Sequence, residues 1–389
     1  MKKEELKNLD SEYILHSYGR VNAAPEKGKG AVCYEESGKK YIDFTSGIGV
    51  NALGYCPDNW VEAVKEQLDK IQHVSNYYLS ENAAVLAKML SENSGMSRAF
   101  FCNSGAEANE CAIKIARAAA LKNGKGFNII TLVNSFHGRT LTTLAATGQD
   151  VFHQKFLPLT EGFLYAEAGD IEALKTLIDE NTAAVMLECV QGEGGVLPME
   201  EDYLKAVRKL CDENNISMVV DEVQTGIGRT GKFFSYQWAG IIPDVVTCAK
   251  GLGGGLPIGC CLVSEKHKDI FAPGDNGSTF GANPVVCAGA REIVKTVSDE
   301  KFLGEVLKKG EYIKKSLSDC EEVEFIRGKG MMIGIKLKNK PAKEVLGKCI
   351  EEGLLILTAK DLVRFLPPLN ISYSEIDEGI KIFRKVIEA

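Results

Sequence analysis

Ser217-Met218-Val219-Val220-Asp221 is an apolar run closed by an acid, and Asp244-Val245-Val246-Thr247-Cys248 follows it with a similar make-up. Both read as short core strands, as do Asn128 to Val133 and Ala183 to Glu188. Helical patterns lie between such runs. Asp202 to Asn214, for instance, sets Tyr203, Leu204, Val207 and Leu210 on one face. Alternation of this kind predicts an α/β fold with a mostly parallel sheet covered by helices.

After Gly281-Ala282-Asn283-Pro284 the pattern changes. A helix-rich stretch to about Ser318 precedes strand-like Met332 to Lys338 and a helix from about Ala342 to Glu352. Strand-like Leu354 to Leu357 and Val363 to Leu366 come next, then a last helix begun by Ser374-Glu375-Ile376-Asp377. We therefore expect a large domain over 51–285 and a smaller C-terminal α+β domain over 286–389. Residues 1–50 hold Gly28-Lys29-Gly30, Ala31 to Tyr34 and Lys40 to Phe44, which predict a hairpin that packs with the small domain and stays out of the main sheet.

A chain of 389 residues can bury a large core in two or three structural units. Its 46 basic and 53 acidic side chains give a net charge of −7, a balance that attracts neither nucleic acid nor an anionic membrane. The twelve cysteines include no CxxC pair and sit among apolar or small residues, so free and mostly buried thiols are predicted. Met1 to Asp10 is rich in charge, and no segment approaches the roughly 18 apolar residues that span a bilayer. A soluble, cytoplasmic protein is the expectation.

Phe100-Phe101-Cys102-Asn103-Ser104-Gly105-Ala106-Glu107 carries a strand-like run into a turn of small residues, and a helix from Ala108 to Ala120 follows. Free N–H groups at a helix start attract an anion such as phosphate, and Gly105 lets the chain approach it closely. An ordinary strand-to-helix turn carries the same signature. Asn134-Ser135-Phe136-His137-Gly138-Arg139-Thr140 offers an aromatic face that can cover a planar ring and a guanidinium that can fork onto a carboxylate. A core Phe136 with Arg139 in a surface ion pair is the competing reading, and His137 alone decides nothing.

Asp221 and Lys250 are more specific. A carboxylate that ends a core strand must be paired, because burying a lone ion is costly. Paired to a pyridinium nitrogen, Asp221 keeps that nitrogen protonated, while Val223 can pack beneath the ring and Gln224 can donate to its phenolic oxygen. A helix N-cap is the alternative role for Asp221. Lys250 lies between Thr247-Cys248-Ala249 and Gly251-Leu252-Gly253-Gly254-Gly255, a setting that suits a Schiff-base amine or, alternatively, a surface lysine in a glycine loop. Desolvation and a nearby cationic ring lower the pKa of such an amine. Together the two residues point to pyridoxal 5'-phosphate. The five histidines show no paired ligand spacing, so no metal is expected.

Six segments occur in an order and spacing that resemble class III (ω-) aminotransferases, in particular the N-acetylornithine-type members. They are Asn103 to Asn109, Phe136 to Thr140, Glu188 to Gly195, Asp221 to Gly226, Lys250 and Gly277-Ser278-Thr279-Phe280-Gly281. Gly251 to Gly259, Arg327 to Gly334 and Val363 to Leu369 carry the narrower likeness, and the match runs from about Tyr18 to the C-terminus. The resemblance implies a fold-type I homodimer with sites completed across the two-fold interface. Ser104, Gly105 and Ala106 are then expected to hold the cofactor phosphate, with Ser278 and Thr279 reaching it from the neighbouring subunit. Phe136 stacks on the ring, and His137, Asp221, Val223, Gln224 and Lys250 complete the cofactor set.

The resemblance also implies substrate roles for Tyr18, Arg139, Glu193 and Arg364. Glutamate has a carboxylate beside its reacting amine, whereas the δ-carbon of N-acetylornithine has none. Arg364 is expected to bind the α-carboxylate of glutamate, and Glu193 to neutralise Arg364 when N-acetylornithine enters and Arg139 takes the distant carboxylate. The implied reaction is a ping-pong exchange between N-acetylornithine and 2-oxoglutarate in arginine biosynthesis. Succinylornithine, succinyl-diaminopimelate and 4-aminobutyrate pose nearly the same recognition problem, and a non-catalytic binding protein could keep the fold. Leu53-Gly54-Tyr55-Cys56-Pro57-Asp58 departs from the family's frequent Gly-His-x-His-Pro, and Asn276 from a frequent histidine. Ile48 stands where ornithine aminotransferases place a tyrosine, which weighs against free ornithine.

Overall fold

The computed structural model describes residues 1–389. Seven strands form the central sheet: β1 (Arg98–Cys102), β2 (Asn128–Leu132), β3 (Phe163–Ala166), β4 (Thr182–Leu187), β5 (Ser217–Asp221), β6 (Val245–Cys248) and β7 (Gly259–Val263). Their order is β1-β7-β6-β5-β4-β2-β3. Only β7 is reversed, pairing antiparallel with both β6 and β1. The four predicted core strands are β2, β4, β5 and β6, and every residue of the last three is buried.

The two faces of the sheet are covered by different helices. Val219 and Val245 pack with Cys111, Ala112, Ile115 and Ala116 of the helix Gly105–Lys122. Their strand neighbours Met218, Val220 and Val246 belong to the opposite layer, with Leu204 and Val207 of the helix Glu201–Glu213. A strand covered on both sides has no solvent face to mark with polar residues, which is why these runs are continuously apolar. Buried thiols fit the same layers: all twelve cysteines are free and only Cys56 is exposed. No helix is long and apolar enough to cross a membrane.

Two four-stranded sheets flank this layer. One contains Lys27–Lys29, Val32–Tyr34, Lys40–Asp43 and Leu354–Leu355. The other contains Val323–Lys329, Met332–Leu337, Leu362–Phe365 and Leu357–Ala359. The run Leu354 to Leu357, expected as a single strand, is therefore divided. Leu354 and Leu355 pair parallel with Ile42 and Asp43, whereas Leu357 to Ala359 pair antiparallel with Leu362 to Arg364. Buried Ile356 carries the chain from one sheet to the other, and an unbroken apolar run does not reveal that crossing.

Several boundaries also move. The helix expected to begin at Ala108 starts at Gly105, because the Ser104 hydroxyl accepts the Glu107 N–H and caps it. The last helix begins at Tyr373, where Ser372 and Glu375 form a reciprocal capping box. β3 and β7 lie outside the strands read from the sequence.

Candidate functional site

The C-terminal ends of the central strands converge on a cavity of about 600 Å³. Every residue predicted for the site lines it except Ser278, Thr279 and Arg364. Brought together are the Ser104 turn, the Phe136 loop, the ends of β5 and β6, and the loop after β4.

Ser104 has extended backbone angles, and the helix starts behind it. The Gly105 and Ala106 N–H groups fall in the first turn, where no intrahelical acceptor exists, and both residues line the cavity. A Cβ at residue 105 would lie 2.7 Å from Val223 Cγ1, so glycine is what lets this turn close against the β5 loop. These N–H groups can receive a phosphate at a positive helix end.

Asp221 ends β5 with only 3% of its surface exposed. Its Oδ2 accepts from Asn109 Nδ2 at 2.7 Å and lies 2.8 Å from His137 Nδ1, while Oδ1 accepts the Val223 N–H at 2.9 Å. Asn109 is held in turn: its amide donates to the His137 carbonyl at 2.7 Å and its oxygen accepts from Thr247 Oγ1 at 2.6 Å. The carboxylate thus has the buried partners that physics requires, with acceptor capacity left for one more donor such as a protonated ring nitrogen. Phe136 and Val223 supply apolar walls in the same cavity.

Lys250 follows β6 by two residues and takes a left-handed φ of 43°, which starts the short turn Lys250–Leu252. A side chain in that backbone region is uncommon and is kept by its surroundings. The amine faces the cavity from a half-buried position, and burial holds its pKa below the usual lysine value against the opposing charge of Glu193. An amine that sheds its proton more easily suits both attack on a carbonyl and proton transfer.

Arg364 reaches the site from the flanking strand Leu362–Phe365. It is 3% exposed, and its Nη1 donates to Glu193 Oε1 at 2.7 Å and to Gln224 Oε1 at 3.1 Å. Burial raises the Glu193 pKa, but the Arg364 charge and hydrogen bond outweigh it, so the carboxylate is held below its ordinary value. Gln224 is thus committed to this pair, with Nε2 also donating to Glu193 at 3.4 Å. Arg139 is exposed and lies over aromatic rings, its guanidinium 4.0 Å from the centre of Phe152 and 5.2 Å from that of Phe136. It has no acidic partner, contrary to the alternative of a surface ion pair. Tyr18 sits at the rim, 72% exposed.

Ser278 and Thr279 stand apart. The Ser278 hydroxyl accepts from Asn103 Nδ2 at 3.1 Å and from the Gly281 N–H at 3.0 Å, and Thr279 is exposed. Within one chain neither lines the cavity.

Two residues given no role from sequence belong to the site. Asn109 orients Asp221, and Glu188 binds two loops: Oε1 accepts the Phe136 N–H at 2.8 Å and Oε2 the Gly192 N–H at 3.0 Å. Burial pushes the Glu188 carboxyl up to about 7, against the pull of His137 and with repulsion from Asp221 adding to it. Glu188 closes the run Ala183 to Leu187 just as Asp221 closes its own, and that repeated pattern is the signal that marks it.

A family model for "Aminotransferase class-III" matches residues 13–387. An acetylornithine aminotransferase of Haemophilus ducreyi is 48% identical over 391 aligned positions, covering 100% of this chain and 99% of that protein. One from Methanocaldococcus jannaschii is 45% identical, covering 99% and 98%. Among solved structures, N-acetylornithine aminotransferase from Stenotrophomonas maltophilia aligns with a TM-score of 0.85 at 34% identity, covering 98% of each chain. Ornithine aminotransferase from Toxoplasma gondii, described with partial PLP occupancy at its active site, aligns at 0.94 and 30% identity over 99% of this chain and 94% of that one.

Proposed function

Because the chain belongs to the class III aminotransferases, we propose that it transfers the δ-amino group of N2-acetyl-L-ornithine to 2-oxoglutarate, giving N-acetylglutamate 5-semialdehyde and L-glutamate. The cofactor is pyridoxal 5'-phosphate, which when bound supplies an aldehyde for the amine and a ring that draws electrons from the reacting carbon. The chain has the complementary groups: N–H donors at Gly105 and Ala106, the Ser104 turn, the buried Asp221–His137–Asn109 set, and the walls Phe136 and Val223.

Lys250 Nζ, on the cavity wall, is the amine that would hold the cofactor's aldehyde and would move the proton to and from the substrate's amine-bearing carbon. Burial lowers its pKa, which favours the neutral amine this task needs. Asp221, fixed by three hydrogen bonds, would keep a proton on the ring nitrogen of the bound cofactor.

The observation that carries the substrate assignment is the 2.7 Å pair between Arg364 and Glu193. Paired, Arg364 is neutralised and the site accepts an amine with no adjacent carboxylate, whose far carboxylate goes to Arg139. Unpaired, with Glu193 swung aside, Arg364 takes the α-carboxylate of glutamate and Arg139 the distal one. Tyr18 at the rim borders the substrate entrance.

The working unit in this reading is a homodimer, to which Ser278 and Thr279 contribute toward the partner's phosphate site. Tyr77, Tyr78 and Leu79 are exposed by 96%, 72% and 104%, an apolar run of the kind that a subunit interface covers. The adjacent Asn76 donates to the Ser278 carbonyl at 2.9 Å, which places that run beside the Ser278 loop.

Specificity constants for N-acetylornithine, N-succinylornithine, N-succinyl-diaminopimelate, 4-aminobutyrate and ornithine, each with 2-oxoglutarate, test the assignment. N-acetylornithine should rank first; a higher value for any of the others reassigns the donor.

A further inference from the structure

Arg364 does its work at the end of a strand whose pairing stops at the next residue: Phe365 faces Ile333, and beyond it the chain leaves the sheet. What holds that end is a set of contacts outside the cavity. The Ser46 hydroxyl donates to the Leu366 carbonyl at 2.7 Å, and the Leu366 N–H donates to the Phe44 carbonyl at 2.8 Å. From another direction Arg229, 2% exposed and outside every ion pair, donates to the carbonyls of Pro367 and Met331.

Ser46 sits in an unusual backbone. Ser46, Gly47, Ile48 and Gly49 have φ values of 48°, 60°, 67° and 75°, a left-handed turn that is disfavoured for L-residues and most of all for β-branched Ile48. Such a turn persists only when its surroundings impose it. Asp43, wholly buried, provides that constraint: one oxygen, Oδ1, accepts from the Thr45 N–H at 2.7 Å, the Thr45 hydroxyl at 2.6 Å and the Ser46 N–H at 3.1 Å. Thr45 Oγ1 then accepts the Gly47 N–H at 3.1 Å, passing the restraint into the turn. The far end of the turn packs on the lysine loop, where a Cβ on Gly251 would lie 3.5 Å from the Gly49 carbonyl.

We infer that Asp43 is a positioning residue for Arg364: it fastens the left-handed turn Ser46–Gly49, whose serine hydroxyl fixes the chain two residues beyond the arginine. Asp43 touches neither cavity nor substrate. Its effect falls on the carboxylate that Arg364 binds, an expectation that rests on the proposed role of Arg364.

The test uses the holoenzyme with Asp43→Ala, Asp43→Asn and Ser46→Ala, read by two independent measurements. Hydrogen exchange in the peptide Arg364 to Leu369 should speed up about fivefold or more in Asp43→Ala while the central sheet stays protected. The KM for 2-oxoglutarate should rise about tenfold with kcat within about twofold, the split expected when a binding contact and not the chemistry is lost. Asp43→Asn, which keeps an acceptor oxygen, should restore both readouts, and Ser46→Ala, lacking only the hydroxyl, should move both the same way by less. Unchanged exchange at Arg364 to Leu369, or faster exchange throughout the protein with kcat falling at constant KM, overturns the inference. The exchange measurement needs no substrate, so it decides the role of Asp43 even if N-acetylornithine proves not to be the donor.

Discussion

At the scale of single residues, two groups have to change during the proposed turnover, Arg364 its partner and Lys250 its proton. Arg364 is buried, so in the proposed reaction its charge would rely on the Glu193 carboxylate when N-acetylornithine is bound. Replacing Glu193 with glutamine keeps the size and removes the charge. The specificity constant for N-acetylornithine should fall roughly 10- to 150-fold, a loss of about 1.5–3 kcal/mol, while that for glutamate stays level or rises. Equal losses for both substrates would assign Glu193 a general structural role. Lys250→Ala should bind the cofactor without attachment, so that borohydride no longer fixes it to the protein, and turnover should fall by about 10²–10⁴ or more. Residual transamination near the wild-type rate would remove Lys250 from the mechanism. Asp221 and Lys250 are readable from sequence because each breaks a local rule: an acid closing a core strand, or a lysine between a strand and a run of glycines. Asn109 is not, since an asparagine within a helix looks ordinary until the fold places it against Asp221.

At the scale of elements, the sequence marks five of the seven central strands but neither β3 and β7 nor how the flanking sheets share the chain. β4, β5 and β6 are continuous apolar runs, whereas the division of Leu354 to Ala359 depends on pairing with residues 42–43 and 362–364, which no local pattern encodes. The turn Ser46–Gly49 is only half legible: Gly47 and Gly49 accept its left-handed path by propensity, whereas Ser46 and Ile48 do not, and the bonds of Asp43 to Thr45 and Ser46 are seen only in the fold. One N-terminal anchor has a pH signature. Glu35 Oε1 accepts from the Tyr41 hydroxyl at 2.7 Å, Lys3 Nζ at 2.9 Å and the Ala24 N–H at 2.9 Å. Burial favours its neutral form, but these bonds outweigh burial and lower the carboxyl pKa from 4.5 to about 2. A folded-state pKa below the unfolded one contributes stability at neutral pH that is lost as pH falls from about 4.5 toward about 2. Limited proteolysis should therefore begin cutting the segment before Ala31 in that window. In Glu35→Gln the same susceptibility should be present already at neutral pH. An N-terminal segment equally resistant at every pH in both proteins would show that Glu35 is not its anchor.

At the scale of the whole molecule, one chain builds the walls of the cavity but leaves Ser278 and Thr279 outside it, and no pattern in a single sequence states that a residue serves a second copy. Shared sites predict complementation. Lys250→Ala and the double variant Ser278→Ala/Thr279→Ala should each be weak alone. After unfolding and refolding together at equal amounts, half of the dimers are hybrids with one intact site of two, so about a quarter of wild-type activity should return. Recovery no greater than the sum of the separate variants would place Ser278 and Thr279 in their own subunit's function. Whether one site exchanges two dissimilar donors, as the Arg364–Glu193 pair would allow, can be measured without turnover. The yellow holoenzyme is mixed with a stoichiometric excess of N-acetylornithine and, separately, of glutamate, and its visible absorbance is followed. Each amine alone should bleach the colour, and 2-oxoglutarate should then restore it. Bleaching by glutamate with none by N-acetylornithine would contradict the proposed exchange.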